Sequence, residues 1–229
     1  MTWQRQHDYF IEKRMDIGQE EEDIVSVRHS IVIGGYSGCV GICFFAIMLV
    51  VLATQVPNTK QEAKYISEGM EAHCGWSVVA LGSCSFLLFV SQLVAGIHMR
   101  EHNTAIAFSL LQMLGWCIVL GIADTGWNLH YAGLHMFLVG NIGYHWMASR
   151  DARYGGFAYQ WASILTIVFT CVFISSAAAS MWFREERELK AGAVALEFVL
   201  LFFTMLQNLC LVRALDAYEN IHLVFEKKR

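Results

Sequence analysis

The sequence has very little proline, and charged residues are almost missing from its apolar stretches. The 229-residue chain contains one proline, Pro57, and carries a net charge of −4. Without proline, long stretches contain nothing that would break a helix. The basic residues are sparse and scattered, which excludes the clustered positive charge typical of a nucleic-acid-binding protein.

Disulfide, metal and glycosylation signals are also missing. None of the seven cysteines belongs to a Cys-x-x-Cys pair, and all of them lie in or next to apolar runs. We therefore expect buried, small apolar side chains in place of disulfides or a structural metal site. No Asn-x-Ser/Thr sequence occurs, and no short apolar core follows the start, so neither N-glycosylation nor a cleavable signal peptide is expected.

Motifs of known enzyme, channel and transporter classes are absent as well. The sequence contains no Gly-x-Ser-x-Gly, no His-Glu-x-x-His and no glycine-rich phosphate loop. It also lacks a selectivity-filter motif, an arginine-rich helix and a visible inverted repeat. We therefore predict no catalytic residues and a non-enzymatic function.

What the sequence does contain is six long apolar runs, each near the ~20 residues that a helix needs to cross a bilayer. Their apolar positions surround each predicted helix instead of forming a stripe, which is typical of helices in lipid. The predicted fold is an all-α, polytopic membrane protein with a six-transmembrane-helix bundle at 31–213. The six runs are 31–53, 74–97, 104–123, 127–148, 158–183 and 191–212.

The distribution of lysine and arginine predicts the orientation. With an internal N-terminus, the polar segment 1–30, two turns, Arg213 and the tail 214–229 hold eleven basic residues, against five on the other side. Because cytoplasmic segments are enriched in such residues, both termini are predicted to be cytoplasmic. The tryptophans agree, with Trp127 and Trp182 at the predicted outer interface and Trp161 at the inner one.

Glycines are concentrated in the first and fourth runs. The first contains Gly38 and Gly41, and the fourth contains Gly133, Gly140 and Gly143. Small residues let helix backbones approach closely in lipid. We expect these glycines to mark helix contacts inside the bundle more than a dimer interface.

Glu197 is the one acidic residue within the six runs. An ionisable side chain inside a membrane span is costly, so it indicates a functional site or a carboxyl group hydrogen-bonded to a neighbouring helix. Other polar residues fall at the same predicted outer level. These residues are His73, Asp124, Asn128 and His130. If their side chains converge with Glu197, they would form a polar cavity for a lipid headgroup, a sugar-phosphate or a metal ion.

Four histidines suggest an alternative site. His73 and His130 lie at one predicted membrane face, and His98 and His145 lie at the other. One histidine pair per face is typical of two b-type haems held across a membrane. Histidines at helix ends also commonly contact headgroups, so this cofactor stays a lesser alternative. No metal cluster is predicted, because no tight His-x-x-x-His spacing occurs.

The fourth run contains His130, Gly133 and Phe137 in the spacing His-x-x-Gly-x-x-x-Phe, followed by Tyr144. This pattern resembles a motif of the DRAM family, which includes damage-regulated autophagy modulators and proteins of GPI-anchor lipid remodelling. The chain departs from the family pattern at Leu134 and Asp124. Other segments similar in order are 65–67, Asn103, Gly115, Gly121 and 195–197, so the resemblance covers about residues 30–213.

This resemblance implies six helices, cytoplasmic termini and a location in endomembranes (lysosome, Golgi or ER) or the plasma membrane. It implies binding or organisation of lipids and membrane partners, with bound lipid as the expected ligand and Glu197 and His130 as the matching positions. Two other functions remain open: an accessory subunit of a larger complex, as in an energy-transducing organelle membrane, and a b-type haem electron carrier.

Overall fold

The structure, a computed structural model, describes residues 30–48, 65–66, 74–121, 127–151, 154–182 and 187–217. Within these residues the chain is helical apart from short turns. The helices are α1 (Ser30–Met48), α2 (Cys74–Ile97), α3 (His102–Gly121), α4 (Trp127–Arg150), α5 (Phe157–Trp182) and α6 (Arg187–Ala217).

The observed helices occupy the six predicted runs. The largest difference is at α6, which spans Arg187–Ala217 where the sequence predicts 191–212, so its helix extends past the apolar run at both ends. Helix-forming polar residues such as Glu188 and Lys190 account for the earlier start. The predicted end of the first run and most of both terminal segments lie outside the described residues.

Five of the helices, α1, α2, α3, α5 and α6, are long and apolar enough to cross a membrane. The fourth helix has a similar length, because its 24 residues extend about 36 Å at 1.5 Å each. Unlike the other five, it lacks a strongly apolar stretch of membrane-spanning length, because three histidines and two asparagines are distributed along it. The chain is therefore an integral membrane protein of the α-helical class.

Polar and apolar side chains are distributed as they are in a membrane protein. Large apolar side chains cover the outside of the bundle, and Val40, Phe86, Val139 and Phe202 are each more than half exposed. Polar side chains lie inside instead, where they can pair with one another and avoid lipid. Among the most completely buried of them are Ser91, Gln92, Asn141, His145, Thr166 and Gln207.

The closest helix pair is α3 with α4, and glycines make it possible. A Cβ atom on Gly115 would collide with the backbone of α4 at Phe137, and one on Gly140 would collide with the backbone of α3 at Gln112. Gly143 faces the ring of Phe108. These positions bring the two backbones into contact, which is the use expected of small residues in membrane helices.

Glycines also allow α1 to pack closely against α2. A Cβ atom on Gly38 would lie 2.7 Å from the carbonyl oxygen of Cys84, and one on Gly41 would collide with the Cys84 sulfur. Cys84 is half-buried, whereas Cys43, Cys117 and Cys171 are exposed on the outside of the bundle. The expectation that the cysteines are buried is wrong for these three, because the outer surface of this bundle is itself apolar.

Two interhelical turns meet at one end of the bundle. The backbone N–H of Arg100, between α2 and α3, donates to Asp151 Oδ2 at 3.1 Å, next to the α4–α5 turn. Asp151 also closes its own turn, since its carbonyl oxygen accepts from Gly155 N at 2.7 Å. We call this end the Asp151 end. The opposite end holds the first turns of α4 and α6, and we call it the Glu197 end.

Candidate functional site

A cavity of about 270 Å³ lies toward the Glu197 end of the bundle. All six helices and the segment before α2 contribute to its walls, which are mostly apolar. Its polar groups are few, and the two that the sequence singled out, Glu197 and His130, are both among them. An apolar cavity with a few convergent polar groups is the usual form of a small-molecule site.

Glu197 anchors the segment that precedes α2. Its Oε2 atom accepts a hydrogen bond of 2.8 Å from the backbone N–H of Ile66, 131 residues earlier in the chain. A spacing of three, four and seven residues, which covers two helical turns, places Glu197 on the inward face of α6 together with Leu200, Leu201 and Thr204, which also line the cavity. The carboxylate therefore fixes one wall of the cavity and forms part of its lining.

Tyr65 strengthens the same attachment. The ammonium nitrogen of Lys190, near the start of α6, lies 5.7 Å from the centre of the Tyr65 ring, within the range of a cation–π contact. Tyr65 packs in the apolar cluster formed by Leu138, Phe173 and Leu200. Residues 65 and 66 thus close the cavity from the side of α6.

His130 and His135 lie on the α4 wall of the cavity. His130 is 9 % exposed, and its ring meets that of Tyr131 edge-on with 6.2 Å between ring centroids. His135 lies one turn further along α4, where its Nδ1 atom is 2.6 Å from the carbonyl oxygen of Tyr131. One buried and one exposed histidine therefore line the cavity wall on this helix.

The cavity reaches the outer surface of the bundle between α4 and α5. His135 on α4 and Ile174 and Ala178 on α5 line the cavity, and all three are exposed. These two helices contact each other less extensively than α3 contacts α4. The opening therefore faces sideways, toward the hydrocarbon that surrounds a membrane helix bundle.

A second group of polar residues lies between the cavity and the Asp151 end, and His145 is the member that the sequence had indicated. Gln92 on α2 donates through Nε2 to Asn208 Oδ1 on α6 at 2.9 Å. Separately, Gln112 on α3 donates to Asn141 on α4, which donates to Gln207 on α6, each at 3.1 Å. Uncharged amides inside apolar runs are visible in the sequence, but their pairing depends on the packing of four helices.

His145 belongs to this polar group. Its Nδ1 atom lies 2.6 Å from the hydroxyl oxygen of Tyr159 on α5, and its Nε2 atom lies 3.4 Å from Gln92 Nε2. The ring is fully buried and also packs edge-on against Tyr144. Both ring nitrogens therefore have side-chain neighbours within hydrogen-bonding range.

The other predicted site residues have different outcomes. His73 and Asp124 lie outside the described residues, and so does the side chain of Asn128. His98 is half-buried just after α2, toward the Asp151 end. His130 and His145 lie on the same helix, 15 residues and about 22 Å apart. In the part of the chain that the structure describes, no group of three His, Cys, Asp or Glu residues could hold a metal ion.

Comparisons with protein-family models, with curated proteins and with solved structures find no match for this chain. The resemblance to the DRAM family therefore stays a prediction from the sequence. The cavity and the residues that line it are what bear on function.

Proposed function

We propose that this chain is a non-enzymatic, DRAM-like membrane protein that crosses the bilayer six times, has both termini in the cytoplasm and binds a lipid. The observation that carries the proposal is the mostly apolar cavity lined by Glu197 and His130. The cavity volume of about 270 Å³ is close to the lower end of ligand sites, roughly 300 Å³. It therefore suits part of a lipid, such as a segment of an acyl chain.

The position of the opening supports a lipid over a water-soluble ligand. Exposed residues of α4 and α5 line it, so a ligand would enter from the surrounding membrane. The polar wall offers the Glu197 carboxylate and two imidazole rings to a hydroxyl, amine or phosphate of a headgroup. Apolar walls for the chain and a small polar region for the headgroup match the two parts of a lipid.

The experiment fills the cavity and measures the lipid that remains. Ala177 on α5 lines the cavity, so Ala177→Phe places a ring in the space proposed for the ligand. Ala132 on α4 is exposed on the outside of the bundle, and Ala132→Phe adds the same ring there. Each full-length protein is purified from membranes in mild detergent, and mass spectrometry measures the lipid-to-protein ratio.

We expect the natural protein and Ala132→Phe to retain one enriched lipid class, and Ala177→Phe to retain several-fold less of it. Thermal unfolding of both variants establishes that they are folded. The proposal is wrong if the natural protein carries only the bulk membrane lipids. It is also wrong if a folded Ala177→Phe variant retains the enriched lipid at the natural ratio.

A further inference from the structure

A second, much smaller chamber lies inside the bundle next to the cavity that we propose binds a lipid. Its volume is about 30 Å³, and Trp116 and Thr204 line both spaces. Its lining is mostly apolar, and polar residues on three helices contribute to it: Ser85 and Gln92 on α2, Gln112 on α3 and Asn208 on α6. The chamber therefore lies between the cavity and the polar group that contains His145.

Four buried polar atoms on the chamber's walls have no hydrogen-bond partner among the described residues. They are Ser85 Oγ, Gln92 Oε1, Gln112 Oε1 and Trp116 Nε1. The side chains of Ser85, Gln92 and Gln112 are at least 97 % buried. Buried polar atoms are nearly always paired, with protein or with water, so a cluster of four around one chamber indicates a ligand.

The orientation of Gln92 follows from its neighbours. Asn208 Nδ2 donates to the carbonyl oxygen of Thr204 at 2.8 Å, which leaves Asn208 Oδ1 as the atom that faces Gln92. Gln92 must therefore present its NH₂ group to Asn208, and its Oε1 atom stays available as an acceptor. The chamber thus has a fixed acceptor on α2.

We propose that this chamber is a binding site for internal water that bridges α2 and α3. The indole N–H of Trp116 can only donate, whereas the amide oxygens of Gln92 and Gln112 can only accept. A cation would be opposed by the indole donor, and an anion by the two amide oxygens. A water molecule accepts from Trp116 and donates to both amides, with Ser85 as a further partner.

The chamber has the size that this occupant needs. A buried water requires roughly 10–15 Å³ of free volume together with 2–4 polar partners. The chamber's volume of about 30 Å³ is enough for one or two waters but too small for a headgroup.

The bridging water would connect two hydrogen-bonded chains that share no direct bond among the described residues. One chain runs from Gln112 through Asn141 to Gln207, and the other links Gln92 with Asn208 and His145. Each chain ends in an amide oxygen without a partner among the described residues, Gln112 Oε1 and Gln92 Oε1, and both glutamines line the chamber. Water between them makes one network that extends over α2, α3, α4, α5 and α6.

The test observes the indole N–H of Trp116 directly. The full-length protein is labelled with ¹⁵N at its indole nitrogens in detergent micelles, and the Trp116 signal is assigned from its loss in Trp116→Phe. We expect a nuclear Overhauser cross-peak between this N–H and a long-lived water. Ser85→Leu, which fills the chamber, should abolish the cross-peak.

Ser83→Leu is the matched control, because Ser83 lies on the same helix but is exposed and donates to the carbonyl oxygen of Val79 within that helix. The cross-peak should persist in this variant. Absence of the cross-peak in the natural protein overturns the proposal, and so does its survival in a folded Ser85→Leu variant. If Ser85→Leu does not fold, the smaller Ser85→Val variant provides the same comparison.

Discussion

At the scale of single residues, Glu197 has a defined structural partner as well as a place on the cavity wall. The sequence left two roles open for it, a functional carboxylate and a carboxyl group hydrogen-bonded to a neighbouring helix. The bond from Ile66 N to Glu197 Oε2 gives the carboxyl group a structural partner, although this partner lies in the segment before α2 and not in one of the six helices. The cavity lining keeps the first role as a proposal, because the same side chain can serve both.

Replacing Glu197 should loosen the segment before α2 in a way that depends on the replacement. Glu197→Ala removes the acceptor for Ile66 N, and the loss of one hydrogen bond costs about 1 kcal/mol. We expect the Ile66 amide to exchange its hydrogen roughly fivefold faster, which hydrogen–deuterium exchange mass spectrometry measures. Glu197→Gln keeps an oxygen acceptor and should exchange nearly as the natural protein does. Equal exchange in Glu197→Ala would contradict this role.

At the scale of helices, glycine position decides which surfaces approach each other. Gly140 and Gly115 face the backbone of the neighbouring helix, whereas a Cβ atom on Gly192 of α6 would meet nothing within 4 Å. All three are glycines inside apolar or amphipathic helices, so composition does not separate them. The difference arises from the packing of α3 on α4.

Adding one methyl group should therefore change the unfolding free energy in opposite directions at Gly140 and Gly192. Gly140→Ala places a carbon against the α3 backbone, which cannot rotate away, and we expect a loss of about 1–3 kcal/mol in unfolding free energy. Gly192→Ala meets open space and should stabilise α6 by up to about 1 kcal/mol. Thermal unfolding in detergent, followed by circular dichroism, measures both. A Gly140→Ala variant as stable as the natural protein would show that α3 and α4 pack less closely.

At the scale of the whole molecule, α4 determines how many times the chain crosses the membrane. The other five helices are apolar enough to cross, and α4 is long enough but lacks a strongly apolar stretch of that length. Its polar side chains are mostly turned inward, since Asn141 and His145 are fully buried. A helix surrounded by α3, α5 and α6 can thus cross a bilayer without exposing these groups to lipid.

The two ends of the chain should therefore lie on the same side. With six crossings, tags at the N-terminus and C-terminus are both digested or both protected in sealed membrane vesicles, and both should face the cytoplasm. With five crossings, they would lie on opposite sides. A tag between Asp151 and Tyr154 gives an internal reference, because the predicted topology puts this turn on the cytoplasmic side. Opposite protection of the two terminal tags would rule out a crossing by α4.

The sequence by itself determined the helical class and the approximate position of each helix. Runs of uncharged residues near twenty in length, with one proline in the chain, favour membrane helices almost regardless of tertiary packing, because hydrocarbon leaves the backbone no other partners. It also drew attention to Glu197 and His130, since ionisable side chains in apolar runs are costly enough to stand out.

Only the tertiary structure decided which of these residues meet. Glu197 and Ile66 are 131 residues apart, and the amides of Gln92, Gln112, Asn141 and Asn208 come from four helices. Uncharged amides do not stand out in a hydropathy pattern. Helix periodicity predicts which face of a helix a residue occupies, but it does not predict which neighbouring residue lies opposite that face. That neighbour depends on helix order and rotation in the bundle, which close contacts such as Gly140 against α3 establish.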